Sequence, residues 1–294
     1  MSLFLEAVGF GLVSAAILAV GAVGFTVQFG VTNVFNLAYG DLMTCGAFVA
    51  YLVVRHGFSI WLGMLAAAVA VALGSVTLNR AVYAPLLRRG TGLFAMVIVT
   101  ISMGLIIQNL LLAWLGPGVF SYPILGGGTH HIAGMVFTAT QLWLIAIAVA
   151  AMLAFHGLLR FTKLGRAMRA VAADKTLARS SGVPVGRVTD FAWLLSGALC
   201  GIAGVALVMN ISTLTVTTGS GFLVVMIAAA AVGGVGQPYG AMLGAIIVGV
   251  VSSIAATYLN PVYEQVSAFV LLGLVLLIRP SGIVRTFTAD RAVT

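Results

Sequence analysis

Few side chains in this sequence are equipped for chemistry, and they gather in three places. Gln28–Asp41, reading QFGVTNVFNLAYGD, sets two asparagines, two glycines and a carboxylate between apolar runs. Gln108 and Asn109 form a neutral polar pair inside another apolar run. Arg160–Arg187 carries Arg160, Lys163, Arg166, Arg169, Lys175, Arg179 and Arg187, seven of the fourteen Lys and Arg residues. A carboxylate or amide within an apolar run is costly unless it meets a partner or a polar cavity. Asn33, Asn36, Asp41, Gln108 and Asn109 are therefore candidates to line the route of a polar solute. The amides suit interhelical hydrogen bonds equally well, and Asp41 suits a helix N-terminus, where negative charge is favoured. Both readings stay open on the sequence.

Bond-making chemistry has little to stand on. His56, His130, His131 and His156 fit no metal-binding spacing, and neither a GxxxxGK[ST] phosphate loop nor a GxSxG nucleophile turn occurs. Six carboxylates in 294 residues leave little material for acid–base work. Cys45 and Cys200 lie in apolar runs with no ligand spacing, as small buried residues do. No metal or catalytic residue is expected.

The elements that must position these groups belong in lipid. The chain is 62% hydrophobic and 7% charged, far from the quarter or so of charged residues in soluble domains. The net charge of +8 then speaks of topology and anionic lipid, not of nucleic acid. Crossing the hydrocarbon takes about 20 apolar residues in a helix. Apolar runs at about 4–27, 34–54, 59–82, 93–115, 138–160, 188–210, 221–236, 240–258 and 264–279 predict an all-α, polytopic bundle of about eight to nine spans. The first run lacks a basic leader and a cleavage site and is expected to stay as a span. The short run 221–236 is the weakest crossing.

Charge sets the parity. With 160–187 placed inside, nine crossings put thirteen of the fourteen cations on that side and leave only Arg55 outside. The N-terminus is then outside and the C-terminus inside. Small-residue pairs such as Gly201/Gly204 and Gly240/Gly244 suit close helix packing. The segment Gly233–Gly240, GGVGQPYG, reads as a tight turn or as a break lining a route.

The basic loop has its own order. Thr162 can cap a helix opening at Lys163, and Asp174 can cap a second running to Ser181, with Gly182 as its stop and Pro184 beyond. Met168, Val171 and Ala172 are expected to face the protein, and Arg166 and Arg169 the water. The result is a projecting knob at about 162–187, the one sizeable polar surface open to a soluble partner.

These segments together resemble the permease subunits of ABC importers for branched-chain amino acids and related solutes. The resemblance runs over nearly the whole chain. It is carried by Asn36–Asp41 (NLAYGD), Val82–Pro85 (VYAP), Met103–Asn109 (MGLIIQN), Leu164–Ala170 (LGRAMRA) with Asp174, Ala178 and Gly182, Gly233–Gly244, and Arg279–Ile283 (RPSGI). It implies a single permease domain over 1–294 in a bacterial inner membrane. It implies a coupling loop at Arg166, Arg169, Asp174, Ala178 and Gly182 that sits on a separate ATPase, which binds the ATP. A second permease subunit and an extracytoplasmic solute-binding protein complete the assembly. Tyr39 stands where that family usually has His, and Asp41 where it has Glu, so Tyr39 joins the candidate path. The seventh run lacks a Lys common in such permeases. These departures widen the expected solutes to other hydrophobic amino acids, amides, urea and small carboxylates. An autonomous secondary transporter or channel for a small polar solute is the alternative.

Overall fold

The computed structural model describes residues 2–122, 128–132, 135–279 and 282–283. Pro280 and Ser281 of the terminal motif, and the tail cations Arg285 and Arg291, lie outside the described residues.

Every apolar run becomes a helix. They are α1 (Ser2–Thr32), α2 (Tyr39–Arg55), α3 (Ile60–Leu78), α5 (Leu93–Leu115), α6 (Ala139–Phe161), α9 (Val185–Ile211), α10 (Thr218–Gly233), α11 (Pro238–Tyr258) and α12 (Tyr263–Ile278). A π-helical turn, Asn79–Tyr83, joins α3 to the short α4 (Ala84–Arg88), and α7 (Lys163–Ala173) and α8 (Lys175–Ser180) make up the basic loop. Among the described residues, six helical stretches are long and apolar enough to cross a membrane: 3–32, 60–88, 93–115, 139–161, 185–211 and 238–258. Helix α2, at 17 residues, and α10 and α12, at 16 each, are shorter. Between α5 and α6 lies an antiparallel hairpin of β1 (Thr129–Ile132) and β2 (Met135–Thr138). Thr, Val, Ile and Phe at those positions favour strands.

The chain forms two compact units. One comprises 1–26, 123–152 and 224–294. Its helices approach through small residues: a β-carbon on Gly249 would lie 2.7 Å from the Ala15 backbone. Ser253 Oγ donates to the Ala7 carbonyl at 2.9 Å. The Ile283 amide donates to Val232 O at 2.9 Å.

The other unit comprises 27–122 and 153–223. Its centre is α3 packed along α9, with α2 against both. Close approach is forced by missing side chains: a β-carbon on Gly201 would lie 2.6 Å from the Ala67 carbonyl oxygen. Without a hydrophobic drive between helices in lipid, such dispersion contacts carry the association. At the end bearing the basic loop, Trp193 stacks on Tyr83 with centroids 5.1 Å apart, beside Val34 and Met96.

Candidate functional site

The polar segment after α1 lies in the second unit and breaks the helix. Thr32 turns its hydroxyl back onto Gln28 O at 2.6 Å and accepts from Val34 N at 3.2 Å. Asn33 takes a left-handed φ of 56°, a conformation that asparagine tolerates better than most residues. Residues 33–36 are non-helical, and helix resumes only at Tyr39. The expected span over 34–54 is therefore shorter at its start. The Thr32 hydroxyl, bonded to Gln28 O and Val34 N, competes with the helix ladder, and the left-handed Asn33 turns the chain away.

Landmarks on neighbouring helices fix the depth of the new helix start. Tyr39 OH donates to Ser196 O at 3.2 Å, and Cys200 Sγ to Tyr39 O at 3.3 Å, both near the middle of α9. Asp41 packs on Gly104, the midpoint of α5, where a β-carbon would collide with its Oδ2. Thr100, on the same helix, holds the extended peptide through Phe35 O at 3.1 Å. Helix α2 thus begins about halfway along α5 and α9, not at their ends. The start of α10 meets it there: Gly219 N donates to Thr44 Oγ1 at 3.0 Å. Discontinuous helices whose N-termini lie at mid-depth are the usual builders of solute sites in transporters.

Asn36 and Tyr39 are brought together in this interior with Gln28 and Ser196, and Asp41 is buried on the side of α2 that meets α5. Gln28 Oε1 accepts from Asn36 Nδ2 at 3.5 Å and from Ser196 Oγ at 3.2 Å. Among the described residues, Gln28 Nε2, Asn36 Oδ1 and Asp41 Oδ1 are buried without a hydrogen bond. Buried groups left so are costly, and Tyr83 OH and Trp193 Nε1 of the same unit share that state. Asn33 is exposed and lines a shallow, mostly apolar cavity with Phe29, Phe35 and Met96. Gln108 is half-buried, and Asn109 is exposed with its amide turned onto Leu105 O at 2.7 Å. Neither joins the buried cluster.

The basic loop folds as two capped helices. Thr162 Oγ1 accepts from Gly165 N at 3.0 Å, and Asp174 Oδ1 from Thr176 N and Leu177 N at 2.7 and 2.9 Å. Gly182, at φ 81°, ends the second. Met168, Val171 and Ala178 are buried, whereas Arg166 and Arg169 are exposed. Ala172, expected inside, is exposed, because the inward stripe of α7 is only wide enough for Met168 and Val171.

Three contacts escaped the sequence reading. Lys175 Nζ donates to the Thr32 carbonyl at 2.8 Å, so a cation from α8 caps the C-terminus of α1 one residue before the break. Burial there pushes its ammonium below the usual lysine range. Arg80 grips Asp190 with Nε and Nη2 at 2.9 and 2.8 Å, and Asn79 adds a bond at 3.0 Å. The signal available was Asp190 itself, one of six carboxylates, placed at the basic end of an apolar run.

Long apolar helices, a mid-depth helix break holding a buried carboxylate, and a capped basic knob tied to that break define a multi-pass membrane permease. The sequence profile of the family described as branched-chain amino acid transport system / permease component matches residues 7–278, and the chain belongs to that family. It is 28% identical to the high-affinity branched-chain amino acid transport system permease protein LivH of Salmonella typhimurium, over 95% of each chain. It is 30% identical to the corresponding BraD protein of Pseudomonas aeruginosa, over 93% of each. In fold it is similar to a chain of PsaBC from Streptococcus pneumoniae, solved in complex with Fab. That match has a TM-score of 0.52 and 15% identity, covering 92% of this chain and 91% of the other.

Proposed function

We propose that this chain is the permease subunit of an ABC importer that carries branched-chain amino acids or a closely related small hydrophobic solute. The nine apolar helices cross a bacterial inner membrane, with the N-terminus outside and the basic loop and C-terminus in the cytoplasm. The whole chain works as one permease domain. Helices α7 and α8 dock on a separate ATPase through exposed Arg166 and Arg169, with Asp174, Ala178 and Gly182 holding the loop in shape. ATP is bound and hydrolysed there, and this chain does no catalysis. A second permease subunit forms the other wall of the route, and an extracytoplasmic binding protein delivers the solute.

The observation that carries this reading is the bond from Lys175 to the Thr32 carbonyl. Motion imposed on α8 is delivered directly to the end of α1 and to the peptide 33–38. That peptide sets where Tyr39, Gly40 and Asp41 sit. Opening the α2 start from α5 and from the first turn of α10 would bare the unpaired oxygens of Asn36 and Asp41 to the solute's ammonium or to water. Asn33 and Gln108, with Asn109 beyond them, would line the approach.

The test is isolation of the chain from native membranes, with identification of what accompanies it, and solute uptake in cells lacking the accompanying ATPase. Co-isolation of an ATPase and a second permease, with uptake abolished by the deletion, is expected. Uptake that survives the deletion would replace this reading with an autonomous transporter.

A further inference from the structure

The ends of α1, α3 and α9 enclose a second feature, a cavity of about 580 Å³ with no part in the solute route. That is within the roughly 300–1,000 Å³ of small-molecule sites. It is lined by Arg80, Arg88, Lys175 and Arg179 against a single carboxylate, Asp190. The two electron-rich groups on its wall are already engaged. Asp190 is held by Arg80 and Asn79, and the Thr32 carbonyl by Lys175. The first turn of α9, Val185 and Gly186, also faces the cavity; no side chain caps that helix, although the Val185 amide donates to Val183 O at 2.8 Å. Arg88, Arg179 and a helix N-terminus therefore converge on one cavity whose only carboxylate, Asp190, is paired with Arg80, and neither Arg88 nor Arg179 has an ion-pair partner among the described residues.

Like charges gathered in this way repel unless an anion sits between them, and guanidiniums beside a helix N-terminus match phosphate oxygens. The lining residues lie at helix ends, half a helix length from the mid-depth landmarks, so the cavity opens at headgroup level. Leu87 forms part of its wall, and Leu93 and Phe94, just past the Arg88–Gly92 turn, stand exposed. An anion carrying acyl chains would be held at both ends. Basic pockets between helices on the cytoplasmic side are the usual seats of anionic lipid headgroups.

We propose that this cavity binds the phosphate headgroup of an anionic phospholipid of the inner leaflet, bridging Arg88 of α4 to Arg179 of α8. The assignment of leaflet rests on the topology proposed above; the binding itself does not.

The test uses the full chain, purified in detergent with whatever subunits accompany it. Its thermal stability is followed during titration with dioctanoyl phosphatidylglycerol, dioctanoyl phosphatidylcholine and inorganic phosphate. Phosphatidylglycerol is expected to raise Tm saturably, with a midpoint that moves up with salt, while the other two leave Tm unchanged. Combining Arg88→Gln with Arg179→Gln should raise the midpoint concentration by about thirtyfold. Arg88→Lys with Arg179→Lys should retain most of the binding. Equal stabilisation by phosphatidylcholine, or a salt-independent midpoint in the wild type, would overturn the proposal even if the glutamine variant failed to fold. Saturable stabilisation by phosphate alone would replace the lipid with a soluble phosphate compound. Unchanged lipid binding in the glutamine variant, with loss of an accompanying ATPase, would reassign the cavity to a protein contact. Labelling Arg89→Cys from each side of the membrane tests the leaflet separately, so a wrong topology and a wrong ligand give different results.

Discussion

Gly104→Ala probes the mid-depth site directly. Gly104 is the central residue of α5, and a β-carbon there would fall within the contact shell of Asp41 Oδ2, with the Ala38 Cα at 3.3 Å on the other side. Asp41 is buried, 7% exposed, so its carboxylate has no free swing to water. Forcing a methyl into such a contact costs about 1–3 kcal/mol. For a chain of this size that is a fall in Tm of about 2–5 °C. Asp41→Ala removes the oxygens that the methyl would meet. Asp41 Oδ1 has no partner among the described residues, so this change alone should alter stability by only about 1 kcal/mol. The double variant, Gly104→Ala with Asp41→Ala, should then recover at least half of the loss, a coupling of about 1–2 kcal/mol. Thermal unfolding of the four purified proteins in one detergent measures this cycle. Additivity within about 0.5 kcal/mol would mean that Asp41 does not face Gly104, and the mid-depth start of α2 would be refuted with it.

Three further outcomes are expected. Lys175→Met should leave membrane insertion and ATPase activity in place while uptake falls by about tenfold, the equivalent of roughly 1.4 kcal/mol for one charge-assisted bond at partial exposure; uptake equal to wild type in proteoliposomes would remove Lys175 from the coupling route. Reversing Arg166 and Arg169 to Glu, or changing Gly182→Pro at its left-handed φ, should uncouple ATP hydrolysis from uptake in correctly inserted protein, checked by both rates on one preparation. Asp41→Asn should change the KM or maximal rate of uptake more than the amount inserted, and wild-type kinetics would return Asp41 to a purely structural role.

That each apolar run becomes a helix was legible in the sequence, because lipid offers no partner to exposed backbone groups and they must bond internally. The same holds for the caps at Thr162 and Asp174, which are local interactions within three residues. The existence of a polar break before Asp41 was visible too, since asparagine and glycine between apolar runs signal it. Its depth was not. That depends on Tyr39 meeting Ser196 and Asp41 meeting Gly104, partners 157 and 63 positions away. No local pattern distinguishes them from the many other small and polar residues of α5 and α9. The separation of Gln108 and Asn109 from the buried cluster has the same origin, because the rotation of α5 is set by its one glycine, Gly104, which admits Asp41 and Ala38. Composition and spacing thus determine that this chain is a bundle of membrane helices with a capped basic knob. Only the tertiary packing decides that Lys175 reaches the end of α1, that Arg88 and Arg179 share a cavity, and that a helix begins at mid-depth, because each is a contact between residues far apart in the chain.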